Sequence, residues 1–257
     1  MDYEWSTIEA ISRLPDTCVP MTDLPPSRFF PPAELADAEG ILAVGGELSP
    51  EWLSDAYKHG IFPWPVTDDD SGPMIWWSPD PRAIIELGSL NVSRRLRRTC
   101  RSGRFTASCD RDFVGVIHGC ATSTGRIGRT WLTPSMIEAY MRMSELGIAH
   151  SVEVWHQGRL AGGVYGIAIG GLFAAESKFY RVRDASKVAL VHLVSHLRAR
   201  GYRLLDIQQL TPHTARLGAV EIPRSEYLSR LADALTQPVG FGDKLEYDRT
   251  WGAIWTV

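Results

Sequence analysis

Apolar and polar positions give the chain two textures. Up to about residue 103 the apolar residues are interrupted by proline and glycine; beyond it they run in regular periods. Ser49-Pro50, then apolar residues at helical spacing, then Gly60, predicts a helix with Ser as its cap and Pro at its first position. Phe62-Pro63-Trp64-Pro65 reads as irregular, because proline fixes φ and lacks an N–H. A loop over 68–72 leads into Trp76-Trp77-Ser78-Pro79-Asp80-Pro81, a second proline-wrapped segment. Ser93 predicts the cap of a helix over 94–101, and residues 104–108 a strand. Asp110 is read as the cap of a helix running to Cys120, and Thr133-Pro134 opens a helix that ends at Gly147.

The second half has strand periodicity. Residues 150–155 and 160–169 predict two strands joined as a hairpin at Gln157-Gly158, with a third over 172–180. A helix over 184–200 stops at Gly201. A short strand over 204–208 follows, then a short helix near Pro212 and another from Ser225. The expected class is α+β: an arm over 1–33, a small N-terminal α/β domain over 34–103, and a β-β-β-α-β domain over 104–257.

Composition narrows the classes. At 257 residues the chain can bury a sizeable core. A net charge of −3 argues against coating nucleic acid along the whole surface but allows a local basic patch. Cys18, Cys100, Cys109 and Cys120 form no CxxC pair, which argues against a zinc site and suits a reducing cytosol. No secretory signal and no membrane-length apolar run is present, so the expected location is cytoplasmic. Neither GxxxxGK[ST] nor GxGxxG occurs, so no nucleoside triphosphate or dinucleotide site is expected.

Several residue groups could carry chemistry, each with a structural alternative. Trp64, Trp76, Trp77 and Trp131 could be stacking platforms for bases, or core anchors. Five arginines fall among the eight residues 94–101; Arg94, Arg97, Arg98 and Arg101 share one helical face, opposite Leu96 and Cys100. That face could contact phosphates or be an ordinary solvated surface. Asp206 and Gln208 alternate on a strand, as a catalytic pair or a hydrogen-bond network. Glu176, amid Phe173, Ala174, Ala175 and Phe179, pairs with a base such as Lys178 or receives a cationic ligand. Asp184-Ala185-Ser186-Lys187 opens a helix, with Asp184 a plain cap or the group an anion site. His118, His192 and His196 are read as structural or surface residues, since no third ligand accompanies the i, i+4 pair.

Taken together, ordered segments carry a resemblance. They are residues 40–49, 60–64, 76–82, 130–133, 149–153, 162–166, 205–208 and 217–219. From about residue 28 to 230 the chain resembles the bacterial leucyl/phenylalanyl-tRNA–protein transferases. The resemblance implies a C-terminal domain similar to the acyl-CoA N-acyltransferase fold, used without coenzyme A. It implies transfer of Leu, Phe or Met from aminoacyl-tRNA to an N-terminal Lys or Arg, creating a degradation signal. No cofactor, no metal and no membrane would be needed, and the molecule would be a monomer.

By the same resemblance Trp64 and Trp131 would contact the terminal adenosine. Val164, Phe173, Leu190 and Leu193 would form the donor side-chain pocket. Glu176, Asp206 and Gln208 would form the polar centre, with Asp206 orienting and polarising Gln208. The arginine face would hold the acceptor stem. Val164, Lys178 and Asp184 depart from the common family pattern. Phe173 and Glu176 have opposite parity on their strand, so for both to line one site a bulge must lie between them. A non-catalytic tRNA-binding module and another tRNA-dependent ligase are the competing classes. A coenzyme A acetyltransferase is disfavoured by the glycine-free loop 181–184.

Overall fold

A computed structural model describes residues 23–67, 69–122 and 131–248. Most of the expected arm, together with Cys18, the first residue of the 68–72 loop and Thr130, lies outside them.

The first four helices start largely where side-chain chemistry dictates. Ser49 accepts from Trp52 N–H to open α1 (Pro50–Lys58), with Gly60 at φ 73° beyond its end. Ser93 accepts from Leu96 N–H at the start of α2 (Arg94–Arg101). The cap expected at Asp110 is corrected: α3 (Phe113–Thr122) starts later, and Asp112 accepts from Gly115 N–H at 2.8 Å. Asp110 instead bonds Ser151 N–H and the His150 ring, both at 2.7 Å. Thr133 caps α4 (Pro134–Glu145).

Two sheets form, counting strands in chain order. The smaller holds β1 (Ile41–Val44), β2 (Phe62–Pro65) and β3 (Met74–Trp77) in the order β1-β3-β2. Phe62–Pro65 is therefore a strand, not the irregular segment expected, and Met74–Trp77 is a strand paired with it. Two prolines are tolerated because β2 lies at the sheet edge, where a missing N–H need not break the ladder.

The larger sheet holds β4 (Arg82–Ile85), β5 (Thr106–Cys109), β6 (Ala149–His156), β7 (Arg159–Ile169), β8 (Leu172–Tyr180), β9 (Leu204–Gln208) and β10 (Ala219–Ile222). Their order is β10-β4-β9-β8-β7-β6-β5. β4 and β10 are additions to the expected strands, each only four residues long; β4 brings a segment from before residue 103 into this sheet. The β6–β7 hairpin turns at Gln157-Gly158, both at positive φ, as its sequence requires.

Helix α5 (Ala185–Arg200) is buried along most of its length against one sheet face, with Val164, Phe173 and Leu205. On the opposite face Ala174, Phe179 and Tyr165 pack with α1, α3, α4 and α7 (Arg224–Leu235). A single turn, α6 (Pro212–Ala215), joins β9 to β10.

β8 and β9 run parallel and pair only as far as Ala174 and Asp206. Beyond that both are bulged. On β8, Tyr165 and Gly166 of β7 pair with Ser177 and Ala175, leaving Glu176 as the extra residue. On β9, Ala83 and Ile84 of β4 pair with Gln208 and Asp206, leaving Ile207 extra. The bulge lies at Glu176 itself rather than between it and Phe173 as expected, and it shows in the core: Phe173 and Phe179 share parity yet sit on opposite faces.

Candidate active site

The parting of β8 and β9 opens a cavity of about 1020 Å³. Its walls include Trp64, Trp131, Val164, Glu176, Leu190 and Gln208, brought together from β2, the start of the α4 segment, β7, β8, α5 and β9. Phe173 and Leu193 do not line it; they are fully buried in the cluster that supports Val164 and Leu190. Phe173 stacks on Phe241 of the C-terminal segment, ring centroids 5.6 Å apart.

Gln208 sits at φ 58°, where an L residue needs outside support. That support is Asp206, whose Oδ1 accepts the Gln208 main-chain N–H at 2.8 Å. Asp206 therefore holds Gln208 through the backbone. The side-chain Nε2 donates instead to Glu176 Oε1 at 2.9 Å. With one N–H spent there, the Gln208 carbonyl oxygen is an acceptor on the cavity wall.

Asp206 is fully buried and neutralised by Arg82. Arg82 Nε reaches Oδ1 at 3.0 Å and Nη2 reaches Oδ2 at 2.6 Å; Tyr227 Oη donates to Oδ2 at 2.8 Å. Arg82 also donates to Gly60 O at 2.9 Å and lies between the Phe62 and Tyr227 rings. This bidentate geometry is the strong form of a carboxylate–guanidinium pair.

The other oxygen of Glu176 accepts from Tyr140 Oη at 3.1 Å, and Tyr140 Oη is 2.7 Å from Tyr57 Oη. Burial pushes the Glu176 carboxyl up to about 7, against the lowering effect of the two tyrosine hydroxyls. Burial first, then the Glu176 charge, raises both tyrosines, so they stay protonated donors.

Trp64 and Trp131 stack on each other, centroids 5.1 Å apart and planes 20° from parallel. Trp64 is exposed, which leaves an aromatic face at the cavity. Trp76 is different: it is fully buried against Phe30 and Trp52, with its Nε1–H on Gly45 O, and Trp77 packs on the same core. The anchor reading holds for these two.

Arg94, Arg97, Arg98 and Arg101 are exposed on α2, while Leu96 is buried beneath them. They do not line the cavity. Arg95 does, and it reaches Asp184 at 2.6 Å. Asp184 makes no side-chain cap bond to α5, correcting the plain-cap reading. His192 and His196 are buried in α5; burial brings His192 down to about 3, and His196 is bonded to Phe241 O and Glu246 N–H. Among the described residues no His/Cys/Asp/Glu group could hold a metal ion.

Sequence reasoning missed Tyr57, Tyr140, Arg82 and Tyr227. The two helical tyrosines look like ordinary core residues from periodicity alone. Arg82 carried a usable signal: a charge leading into Ala83-Ile84-Ile85 must be buried, and a buried charge requires a partner such as Asp206.

Comparison with known proteins agrees with this organisation. The family model described as leucyl/phenylalanyl-tRNA protein transferase matches residues 84–232, and the model of that family's N-terminal domain matches residues 46–80. A leucyl/phenylalanyl-tRNA–protein transferase of Magnetococcus marinus is 48% identical over 83% of this chain and 91% of its own. That of Solidesulfovibrio magneticus is 48% identical over 90% and 93%, and that of Aromatoleum aromaticum 50% identical over 83% and 90%. A GCN5-related N-acetyltransferase from Kribbella flavida aligns over 68% of this chain and 61% of its own, at 14% identity and a TM-score of 0.34, too distant to bear on the chemistry. With both models matched in chain order and identity near one half over most of its length, the chain belongs to the leucyl/phenylalanyl-tRNA protein transferase family.

Proposed function

We propose that this protein is an aminoacyltransferase that moves Leu, Phe or Met from aminoacyl-tRNA onto the N-terminal Lys or Arg of acceptor proteins. The observation that carries the reading is the Gln208–Glu176 hydrogen bond, 2.9 Å long, on the wall of a cavity that also holds two tryptophans and an apolar recess. In this reading the terminal adenosine lies on the Trp64–Trp131 shelf. The donor side chain enters between Val164 and Leu190, with Phe173 and Leu193 setting its depth from behind.

The donor ester is already activated. The acceptor α-amine attacks the ester carbonyl; a C–N bond forms, the C–O bond breaks, and the ribose 3′ oxygen leaves with a proton. Gln208 is not a base, but its carbonyl oxygen accepts an N–H of the amine and aims the lone pair. Glu176 locks the Gln208 amide and, near its midpoint at pH 7, stands close enough to share the amine's proton. Arg82 and Asp206 hold the Gln208 backbone in place. An acidic group at the site also suits an acceptor that begins with Lys or Arg.

On this account the molecule works as a cytoplasmic monomer, and the exposed arginines 94, 97, 98 and 101 hold the acceptor stem of the tRNA. Among the described residues no helix is long and apolar enough to cross a membrane. The reading is tested by following labelled Phe from charged tRNA to a peptide starting with Arg, and to its Asp-starting twin. Transfer to the first and not the second is expected.

A further inference from the structure

The N-terminus of α5 has features the transfer chemistry above does not use. Ser186 is only 7% exposed, lines the cavity, and its hydroxyl has no hydrogen-bond partner among the described residues. That hydroxyl is open to the cavity from an otherwise buried residue, so a ligand there can take it as a donor in place of water. In the same turn Ala185 N–H bonds Val182 O, and Lys187 and Val188 N–H bond Asp184 O. The Ser186 N–H makes no such bond, at the positive end of a sixteen-residue helix.

Charge converges on the same point. Arg95, Lys178, Arg183, Lys187 and Arg216 line this cavity against Asp184 and Glu176. Burial, and then Lys178, Lys187 and Arg216, hold the His213 imidazole below its usual range, so the cations lie close together. Asp184 sits left-handed at φ 73°, bridged to Arg95 at 2.6 Å and Lys187 at 3.6 Å. It occupies the place of an anion without capping the helix.

We propose that Ser186, its N–H and Lys187 bind one phosphodiester of the donor strand, the one joining the terminal adenosine to the nucleotide before it, and that Asp184 is the resident anion this phosphate displaces. The proposal rests on the aminoacyl-tRNA reading of the cavity. One phosphate fits better than the pyrophosphate of a coenzyme, because loop 181–184 has no glycine to bring its backbone close around two phosphates. The site would tie the strand's register to the tryptophan shelf, so that the ester falls beside Gln208.

The test is calorimetric binding of adenosine and of the dinucleotide cytidylyl-(3′→5′)-adenosine to the full chain. The dinucleotide is expected to bind at least about tenfold tighter, equivalent to about 1.4 kcal/mol. In the Ser186→Ala, Lys187→Met double variant that preference falls to about twofold, while the adenosine Kd holds. Asp184→Asn should move the other way and tighten the dinucleotide, a gain that misfolding cannot produce. An undiminished preference in the double variant, or equal affinities in the unaltered protein, overturns the phosphate site. So does inorganic phosphate competing as well as the dinucleotide, which would mark a free-anion site. A preserved preference without any transfer from charged tRNA would instead overturn the proposed function and leave the site standing.

Discussion

Glu176 is where the chemistry of the site is most exposed to experiment. Its carboxyl, ordinarily near 4.5, is pushed by burial to about 7. It is protonated below that pH and ionised above it, and the ionised form accepts best from both Gln208 and Tyr140. Transfer should therefore rise with pH through about 7. The acceptor amine adds its own rise at ~7.7–8.0. In Glu176→Gln the lower inflection should vanish and the upper one remain; a pH–rate profile unchanged by the substitution would remove Glu176 from the mechanism. The same raised value costs folding free energy: this carboxyl favours the native state below its ordinary value and ceases to as pH rises through about 7.

Gln208 gives a second residue-level prediction. Gln208→Ala should lower kcat by on the order of 10²–10³, as loss of one preorganised partner of the reacting group does, with little change in donor KM. Trp131→Ala should do the reverse and raise donor KM, since stacking is worth ~1–3 kcal/mol per base. If Gln208→Ala raised KM and left kcat alone, it would be a binding residue only. The candidate residues could be picked out of the sequence, but their division of labour could not. Alternation pairs Asp206 with Gln208 on paper; only the positive φ of Gln208 and the Ile207 bulge separate a backbone holder from a group at the cavity.

At the scale of elements, what could be read depended on side-chain signals. Caps at Ser49, Ser93 and Thr133 and the Gln157-Gly158 turn were legible because a local hydrogen bond or a positive φ selects the residue type. The parity conflict pointed to a bulge near Glu176, but its premise fails, because Phe173 sits behind the cavity wall rather than on it. Four-residue strands such as β4 and β10 are too short to carry a period, and the Phe62–Pro65 strand contradicts local propensity because pairing with β3 overrides it. Helix α2 carries an elemental prediction. Replacing Arg94, Arg97, Arg98 and Arg101 with Gln should weaken tRNA binding and flatten its salt dependence, the log–log slope falling by about 0.9 for each phosphate no longer neutralised. A slope unchanged by all four substitutions would return this face to the solvent.

Across the whole molecule, Arg82 joins parts that the sequence keeps far apart. It links Gly60 after α1 to Asp206 in the large sheet and to Tyr227 in α7, and it is fully buried in doing so. Arg82→Met leaves Asp206 buried without its cation, and removing one partner of such a pair costs about 3–5 kcal/mol. Chemical denaturation should show a loss of that size; a cost below about 1 kcal/mol, the range of surface pairs, would mean the pair is not a structural tie. Its position also explains why composition hid the site: an overall charge of −3 averages over a cavity whose rim is basic and whose interior acids are neutralised or raised.

The central claim is transfer of an amino acid through Gln208. The most direct measurement follows labelled phenylalanine from charged tRNA to an Arg-starting peptide, comparing the unaltered protein with Gln208→Ala under single-turnover conditions. The account predicts peptide-bond formation by the first and a rate lower by on the order of 10² or more for the second, with tRNA still bound. Transfer at equal rates by both would contradict it.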